Sequence, residues 1–404
     1  MDRATKWITK VKSMSNRKSL LAITPTYNYF VKDQIESISS DFKSIDVFVY
    51  HNPITELSNY LPIHEFSLFT KKSLIEYSGK PENVSVSTVP AFFIPIDYQY
   101  RHLGEKHYRK ILNMIVQNKL EPDLIHSHFV WTSGYVGARL KERYQIPLII
   151  SGYGYDLYDL PFKNPQWKEI IRGILNDSDC IITVSNRLAK CIRKLDVNTP
   201  VEILPTGYDG KRFYPRDQQT CRRTLRLPDN KRIILTIGSL VKVKGHIDLI
   251  HAISELYGRS KDILCIILGE GNLRNELQKE IKKCGLEEVI KLVGRKPREE
   301  LPLWINACDI FVLPSLNEGN PTVMFEALAC GVPFISTDVG GVSEIITSKE
   351  YGLVCKSNDC MDLCNKMFEA LNIRWNRDAI QSHALQYEWD SQRENLLEIY
   401  KKFM

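Results

Sequence analysis

The stretch "CDIFVLPSLNEGNPTVMFEALACGVPFIST", residues 308–337, predicts a strand, a helix and a second strand in close succession. The runs "DIFVLPS" and "PFIST" are short and apolar, which is typical of buried strands. Between them, Asn320 is a good N-cap and Pro321 suits the first helical position, while Gly331 marks the end of a helix. We therefore expect a helix from about Pro321 to Cys330, beginning just beyond the carboxyl end of the first strand.

The same alternation of strand and helix patterns extends along most of the chain. The predicted strands are continuous apolar runs, as in parallel sheets that helices cover on both faces. In order, these runs are "LLAITPT", "IDVFVY", "DLIHSHF", "PLIISGYG", "CIITVS", "VEILPTGY", "RIILTIGSL", "ILCIILGEG", "VIKLVGR", "DIFVLPS", "PFISTDVGG" and "GLVCK". Strands that alternate with helices imply right-handed crossovers, so the sequence predicts an α/β protein with doubly wound sheets.

The length of 404 residues predicts about two domains. The strand pattern breaks at the polar stretch "KRFYPRD" and then restarts. We divide the chain into a basic extension at 1–18, a first Rossmann-like domain at 19–212, a second at 213–385 and a C-terminal helix at 386–404. Ligands of such sheets bind beyond the carboxyl ends of the strands, so the predicted site is the cleft between two facing domains.

Composition and charge exclude several classes of protein. The 43% hydrophobic and 25% charged residues are those of a soluble globular protein. The net charge of +6 is mild and does not resemble that of a nucleic-acid-binding protein, so no nucleic-acid partner is expected. All ten cysteines lie between Cys180 and Cys364 without a C-x-x-C pair, which favours reduced thiols in a cytosolic protein over disulfides or a metal site.

The opening segment "MDRATKWITKVKSMSNRK", residues 1–18, combines positive charge with apolar residues at helical spacing. Trp7, Val11 and Met14 would share one face, as in a segment that lies on an anionic membrane surface. A solvated basic tail explains the same residues. No apolar run reaches the roughly 18 residues of a membrane span, and we expect a cytoplasmic protein that associates peripherally with the inner face of the cell membrane.

Two glutamates flank the start of the helix predicted above. Glu318 stands just ahead of it, and Gly319 lets the backbone approach a ligand closely. The exposed amides and partial positive charge of a helix N-terminus suit a phosphate or hydroxyl groups. Glu326 lies inside the helix among apolar residues, so its carboxylate needs hydrogen-bond donors. Ribose hydroxyls would serve, and so would a protein arginine or lysine, or exposure to solvent.

Three further turns of the second domain point to the same edge of its sheet. Lys244 lies in "GSLVKVKGHIDLI", which follows a strand, and a compact ammonium suits a diphosphate. Glycine-rich turns also occur at Gly269 and Gly271 in "LGEGNLRNEL" and at residues 340–341 in "DVGGVSE". One such turn is weak evidence, but three at strand ends of one domain, together with the glutamate pair, predict an anion-binding site.

Two histidines, His126 and His128, lie on one predicted strand of the first domain. We expect them to face opposite sides of the strand, so that only one of them reaches the cleft. We predict that His128 is that residue and that His126 belongs to the core.

With these motifs, the chain resembles a retaining glycosyltransferase of the GT-B fold, of the large family numbered four, the glycosyl transferases group 1 of glycogen-synthase and capsular-polysaccharide type. The most specific element is the E-x7-E motif from Glu318 to Glu326. Supporting matches are "GSLVKVKGH", "ILGEGNLRNEL", "LVGRKPREELPLWINACD", "HSHF", "CIITVSNRLAKCI" and "ILPTGYDGKRFYP". The resemblance covers nearly the whole chain.

The resemblance implies roles for individual residues. Lys244 and Glu318 would be catalytic, with Lys244 stabilising the diphosphate leaving group, and Glu326 would hold the ribose of the donor. The remaining donor-binding residues would be Gly238, Ser239, Gly269, Gly271, Arg295, Gly319, Asn320, Pro321 and Thr322. On the acceptor side the residues would be His128, Tyr153 and Asp156. Neither a metal nor another cofactor is expected, and the C-terminal helix would pack back on the first domain.

Two positions depart from the family pattern. Ser239 stands where an arginine usually joins the lysine on the diphosphate, so the helix N-terminus or another base such as Arg274 would have to compensate. Tyr153 stands where a histidine is common, which affects the acceptor class.

Two motifs invite other interpretations. "DSD" at 177–179 resembles a metal-binding D-x-D, but it precedes a strand and is better explained as a helix cap and turn. "GEGNLR" resembles a dinucleotide fingerprint, but Arg274 replaces its third glycine, and the acidic residues Glu287 and Glu288 precede the next strand instead of ending it.

The expected function is therefore sugar transfer from a nucleotide-sugar donor, a UDP-sugar, to a glycan or lipid-linked acceptor with retention of configuration, in the synthesis of cell-surface polysaccharides or glycoconjugates. Two alternatives share the fold: a nucleotide-sugar epimerase, and a nucleotide-sugar-binding protein that has lost transfer. The sequence leaves open the base, the sugar and the acceptor.

Overall fold

The computed structural model describes residues 17–59, 66, 69–94 and 97–404. The predicted membrane-surface segment lies outside these residues, except for its last two positions. The chain divides into two compact units. The first comprises residues up to Leu204 together with Arg393–Met404, and the second comprises Pro205–Gln392.

Within the described residues, the sheet of the first unit has seven strands, all paired in parallel, in the order β3-β2-β1-β4-β5-β6-β7. The strands are β1 (Ser19–Thr24), β2 (Ser44–His51), β3 (Val84–Pro90), β4 (Leu124–His128), β5 (Leu148–Gly152), β6 (Cys180–Thr183) and β7 (Val201–Ile203). The α-helices are Tyr29–Ser37, Lys71–Leu74, Asp97–Arg101, Leu103–Gln117, Tyr135–Tyr144, Tyr155–Tyr158, Pro165–Asn176 and Asn186–Arg193.

The described sheet of the second unit has six strands, also parallel, in the order β10-β9-β8-β11-β12-β13. The strands are β8 (Arg232–Ile237), β9 (Ile263–Leu268), β10 (Ile290–Gly294), β11 (Ile310–Leu313), β12 (Phe334–Thr337) and β13 (Gly352–Cys355). The α-helices are Gln218–Leu225, His246–Arg259, Arg274–Lys283, Leu301–Ala307, Thr322–Ala329, Val342–Ile345, Cys360–Asn372 and Arg377–Ala384, and Trp389–Lys401 runs from this unit into the first.

The strand residues explain why helices cover both faces of each sheet. Side chains alternate between the two faces of a strand. In β8, Ile233 and Leu235 belong to one buried apolar cluster and Ile234 belongs to another. Every residue of β9 is buried. The prediction of two doubly wound parallel sheets is therefore confirmed.

Two details differ from the sequence prediction. Strand β3 was not predicted, because "VSVSTVP" is half polar; it is an edge strand in which only Val84 and Val89 are buried. The helix expected at Pro321–Cys330 spans Thr322–Ala329. Pro321, not Asn320, occupies the N-cap position, because its ψ of 118° keeps it extended and delays the first helical turn by one residue.

The end of the helix Trp389–Lys401 is tied into the first unit. Tyr400 is completely buried, and its hydroxyl lies 2.6 Å from Nδ1 of His126 on β4. Arg393 forms a two-pronged ion pair with Asp41, at 2.9 and 2.6 Å. Among the described helices, none is both long enough and apolar enough to cross a bilayer.

Candidate functional site

An ion pair joins the loops that follow β8 and β11 in the second unit. Lys244 Nζ donates to Oε1 of Glu318 at 2.6 Å, and Ser315 Oγ donates to the same oxygen at 2.7 Å. The two charged side chains are 25% and 12% exposed, so the pair is partly shielded from water. An ammonium group has three donors. Glu318 can therefore orient Lys244 while leaving protons for an anionic ligand.

The helix Thr322–Ala329 starts directly after this ion pair. Its residues from Met324 onward are buried, including Glu326, whose side chain is 5% exposed. Glu326 has an interaction partner within the protein, which offsets the cost of burying its carboxylate. The Met324 amide donates to the Pro321 oxygen at 3.0 Å, and the N-cap residue makes no side-chain capping bond, so the helix presents its partial positive charge at the loop that carries Glu318.

Two glycines allow the strand-end loops to pack closely. Gly245 has φ of +65°, and a Cβ there would lie 1.9 Å from the carbonyl oxygen of Pro314. Gly340 has φ of +57°, and a Cβ there would lie 2.4 Å from the carbonyl oxygen of Gly319. The same Gly319 oxygen accepts a hydrogen bond from the amide of Gly341 at 2.8 Å. These contacts join the loops after β8, β11 and β12 backbone to backbone.

The other predicted donor-binding residues lie at neighbouring strand ends. Gly238 and the exposed Ser239 follow β8, and a Cβ on Gly269 would lie 1.9 Å from the Gly238 oxygen. Gly271 packs against Leu240 in the same way. Arg295, which is exposed, follows β10 directly. The predicted donor residues thus all belong to loops at the carboxyl edge of one sheet or to the helix that leaves it.

Arg274, considered as a substitute for the missing arginine, is already engaged. It donates to Oε1 of Glu270 at 2.9 Å and to the carbonyl oxygen of Leu292 at 3.3 Å. These bonds tie the turn after β9 to β10. Arg274 therefore supports the turn, and the cation that meets the Glu318 carboxylate is Lys244.

Sequence reasoning missed two residues of this site. Ser315 holds Glu318, as described above. His246 is buried at the start of its helix, and its Nε2 donates to the Ser239 carbonyl oxygen at 3.2 Å. Burial lowers the pKa of His246 to about 4, so it is neutral at physiological pH. His246 directly follows Gly245 in the sequence, but the sequence does not reveal that a histidine at this position is buried.

In the first unit, the predicted acceptor-side residues His128 and Tyr153 are in contact. The Tyr153 hydroxyl donates to Oε1 of Gln34 at 3.1 Å and lies 2.7 Å from Nδ1 of His128. The hydroxyl is thus the acceptor for His128, whose Nδ1 carries the proton. Burial lowers the pKa of His128 to about 3, so its imidazole is neutral.

Asp156 has a structural function that the sequence did not indicate. One carboxylate oxygen accepts the amide of Val130 at 2.7 Å, and the other accepts the amide of Gly154 at 3.3 Å. Burial raises the pKa of Asp156, and these backbone hydrogen bonds oppose that shift. Asp156 thus joins the segment after β4 to the segment after β5.

The expectation that His126 and His128 face opposite sides of their strand is wrong. Their ring centroids are 4.2 Å apart and both side chains are buried. Residues two apart in a strand lie on the same face, which is the physical reason. They differ in partners instead: His126 contacts the hydroxyls of Tyr400 and Ser151, at 2.6 and 2.7 Å.

The acidic motif at 177–179 is structural in the described chain. Asp177 caps the helix Pro165–Asn176, and Asp179 pairs with Lys141 at 2.7 Å. One group of potential metal ligands occurs among the described residues, namely His251, Glu280 and Cys284, whose ligand atoms lie within 4.8 Å of one another. It includes none of the predicted site residues. The expectation that no metal takes part stays a prediction.

Two family descriptions match the chain. "Glycosyl transferases group 1" matches residues 217–386, and "Glycosyltransferase Family 4" matches residues 54–212. Among curated proteins, the chain is 31% identical to the putative teichuronic acid biosynthesis glycosyltransferase TuaC of Bacillus subtilis over 60% of each chain. It is 29% identical to the D-inositol 3-phosphate glycosyltransferase of Corynebacterium jeikeium, over 69% of this chain and 72% of that protein.

Solved structures share the fold over nearly the whole chain. Sucrose-phosphate synthase from Thermosynechococcus elongatus superposes with a TM-score of 0.75 at 18% identity, covering 95% of this chain and 99% of that one. Anabaena Alr3699/HepE in complex with UDP superposes with a TM-score of 0.73 at 17% identity, covering 95% and 100%. At such identities the likeness establishes the fold and nothing finer.

Proposed function

This chain belongs to the family-four glycosyltransferases of the GT-B fold, and we propose that it transfers a sugar from a UDP-sugar to a glycan or lipid-linked acceptor with retention of configuration. The observation that carries the proposal is the pair of Lys244 and Glu318 at the N-terminus of a buried helix. A fixed cation beside a helix N-terminus matches the charge of a diphosphate. Structures of Anabaena Alr3699/HepE hold UDP and UDP-glucose, which supports a uridine donor.

In the proposed reaction, the bond between the sugar and the diphosphate breaks and the acceptor hydroxyl attacks from the same face. A departing phosphate oxygen takes the acceptor proton, so the protein need not supply a base. Lys244 and the amides of Gly319, Asn320 and Thr322 stabilise the negative charge that develops on the leaving group. Electrostatic stabilisation and positioning are the main contributions a protein makes to such a transfer.

The remaining roles are those that the family resemblance implies. Glu326 would bind the ribose hydroxyls, Arg295 would lie near the base, and His128 with Tyr153 would contribute to the acceptor side. Because His128 is neutral, its role would be hydrogen bonding and not charge stabilisation. We propose that no metal is required, since Lys244 and the helix N-terminus supply the positive charge. A place at the cytoplasmic face of the membrane would suit a surface-glycan acceptor.

The test is a thermal-shift series with UDP, GDP, ADP and CDP in excess chelator, followed by an activity assay with the corresponding nucleotide sugars. The expected result is a rise in melting temperature with UDP alone, lost in Glu326→Ala. A folded protein that responds to no nucleotide would overturn the donor site. Release of an altered sugar nucleotide without acceptor would favour the epimerase, and donor binding with no product would favour the binding protein.

A further inference from the structure

A cavity of about 820 Å³ opens in the first unit, and His128, Tyr153 and Asp156 do not line it. Its wall includes Pro25, Asn52 and Trp131, which follow β1, β2 and β4 along the chain. It therefore lies beyond the carboxyl ends of the sheet, where α/β proteins bind their ligands.

Aromatic side chains form a large part of the wall of this cavity. Large rings from separate segments contribute to it, among them Tyr50, Phe66, Phe93, Tyr100, Trp131 and Trp167. The ring of Trp131 contacts those of Tyr100 and Trp167 edge-on, with centroids 6.2 and 5.2 Å apart. Such rings present broad apolar surfaces with a fixed orientation.

Several polar side chains of the wall are already hydrogen-bonded to the protein. His51 Nε2 lies 2.8 Å from Oε1 of Glu56. Trp167 Nε1 donates to Asp97 at 2.8 Å. Asn52 likewise donates to the Phe93 carbonyl oxygen, and His107 contacts the Thr132 hydroxyl. A free sugar ring, with a hydroxyl on most carbons, would find few partners here.

One buried polar atom on the wall is different. Trp131 Nε1 has no hydrogen-bond partner among the described residues, whereas the Tyr50 hydroxyl interacts with the side chains of Thr132 and Ser133. Trp131 is more than nine-tenths buried. A buried donor without a partner is costly, so a ligand that brings an oxygen to this point would be favoured.

The rim of the cavity is apolar as well. Phe69, Ile94 and Tyr155 line it and are each about half exposed, at 55%, 49% and 45%. Lys163 is the only lysine or arginine among the described wall residues, and it is bonded to the Tyr155 hydroxyl at 2.7 Å. The rim therefore allows a hydrocarbon ligand to continue outward, while charge contributes little to its binding.

We propose that this cavity binds the hydrocarbon chain of a lipid-linked acceptor. The inference rests on the proposed function and narrows its acceptor to the lipid-linked class. The hydrocarbon chain lies against the aromatic wall, an oxygen of the acceptor accepts from Trp131 Nε1, and the part of the hydrocarbon chain beyond the cavity crosses the apolar rim. Burial of each methylene group strengthens binding about fourfold, so affinity should depend on chain length.

The experiment is a titration of the full chain with geranyl phosphate and farnesyl phosphate, followed by tryptophan fluorescence because Trp131 and Trp167 line the cavity. Inorganic phosphate and glucose serve as polar controls, and a short-chain phosphatidylglycerol below its micellar concentration tests a membrane lipid as the occupant. UDP binding is measured on the same preparation. The variants are Phe69→Ser and its control Tyr77→Ser, which is 56% exposed and does not line the cavity.

We expect farnesyl phosphate to bind at least tenfold more tightly than geranyl phosphate, and phosphate and glucose not to bind. Phe69→Ser should weaken farnesyl phosphate binding about tenfold, while Tyr77→Ser leaves it unchanged. Binding that ignores chain length, or an equal loss in both variants, would overturn the inference. Tighter binding of the phospholipid would overturn the acceptor role. If UDP still binds in either case, the donor site of the proposed function stands; if UDP does not bind, the proposed function fails as well.

Discussion

The two units use the carboxyl edges of similar parallel sheets in different ways. In the second unit, the strand-end loops are short and glycine-rich, and they meet through backbone contacts around one ion pair. In the first unit, the corresponding edge carries an aromatic cavity and a buried network of histidines and hydroxyls. The comparison teaches that one sheet edge can be shaped by backbone contacts and the other by its side chains.

The sharpest test of the sheet edge of the second unit is Lys244→Ala. Removal of one preorganised cation should lower kcat/KM by about 10²–10³, because the charge on the leaving group loses its partner. Lys242→Ala, an exposed lysine in the same turn, is the matched control and should change kcat/KM little. Activity of Lys244→Ala within threefold of wild type would remove this residue from the reaction.

The buried histidines predict how stability responds to pH. Burial lowers the pKa of His128 to about 3 and that of His246 to about 4, below the unfolded value of roughly 6.5. At acid pH the unfolded chain thus binds more protons than the folded protein. The free energy of unfolding that is present above about pH 6.5 is therefore lost as the pH falls towards 4. Each histidine should contribute a loss of about 2–3 kcal/mol by pH 4.5.

Denaturant unfolding between pH 4.5 and 7.5 measures the slope of the free energy of unfolding against pH. His128→Gln should flatten it, whatever its effect on stability at neutral pH, whereas His102→Gln, at an exposed position, should leave it unchanged. An unaltered slope in His128→Gln would mean that this histidine is accessible to protons in the folded protein.

Gly340→Ala tests whether the loops of the second unit depend on backbone contact. Residue 340 has a positive φ, and an added Cβ would lie 2.4 Å from the Gly319 oxygen. The substitution should therefore lower the free energy of unfolding by about 2 kcal/mol and displace the loop that carries Glu318. UDP affinity and melting temperature should both fall. Gly258→Ala is the control, because a Cβ there meets nothing within 4 Å and a helix favours alanine, so it should stabilise the protein slightly.

Tyr153→Phe tests whether the first unit depends on the side-chain hydrogen bond between Tyr153 and His128. Loss of the hydroxyl leaves Nδ1–H of His128 buried without its acceptor, which should lower the free energy of unfolding by about 1–3 kcal/mol. UDP affinity, measured by calorimetry, should not change. A loss of UDP binding in this variant would show that the two edges are not independent.

The smallest expected effect comes from Ser239→Arg, which restores the residue usual in the family. Ser239 is exposed, so a new guanidinium would remain partly solvated and contribute only about 0.2–1 kcal/mol. The KM for the donor should fall at most about fivefold. A larger improvement would mean that the site lacks positive charge.

The proposed donor edge could be predicted from the sequence because its determinants are local. Gly245 and Gly340 are needed where backbones approach, and Glu318 and Glu326 have a fixed spacing within one loop and helix. The strands of both sheets were predictable for the same reason, since buried parallel strands are continuous apolar runs. The half-polar edge strand β3 had no such signal.

The cavity and the histidine contacts of the first unit could not be predicted, because the residues that form them lie far apart in the chain. Tyr50, Trp131 and Trp167 meet only after the sheet has formed, and each one alone has the pattern of a core residue. The partners of His126 and His128 are equally remote, since one is Tyr400 and the other Tyr153. Sequence spacing carries no information about such contacts.

The tie between Tyr400 and His126 has a consequence for the order of synthesis. The first unit needs Arg393–Met404 to complete its core, but these residues are synthesised only after the whole of the second unit. At typical elongation rates, roughly ten to forty seconds separate Leu204 from Arg393. During that interval the second unit can fold while the first waits with its β4 histidine uncovered. The first unit is therefore the first to be synthesised and the last to complete its fold.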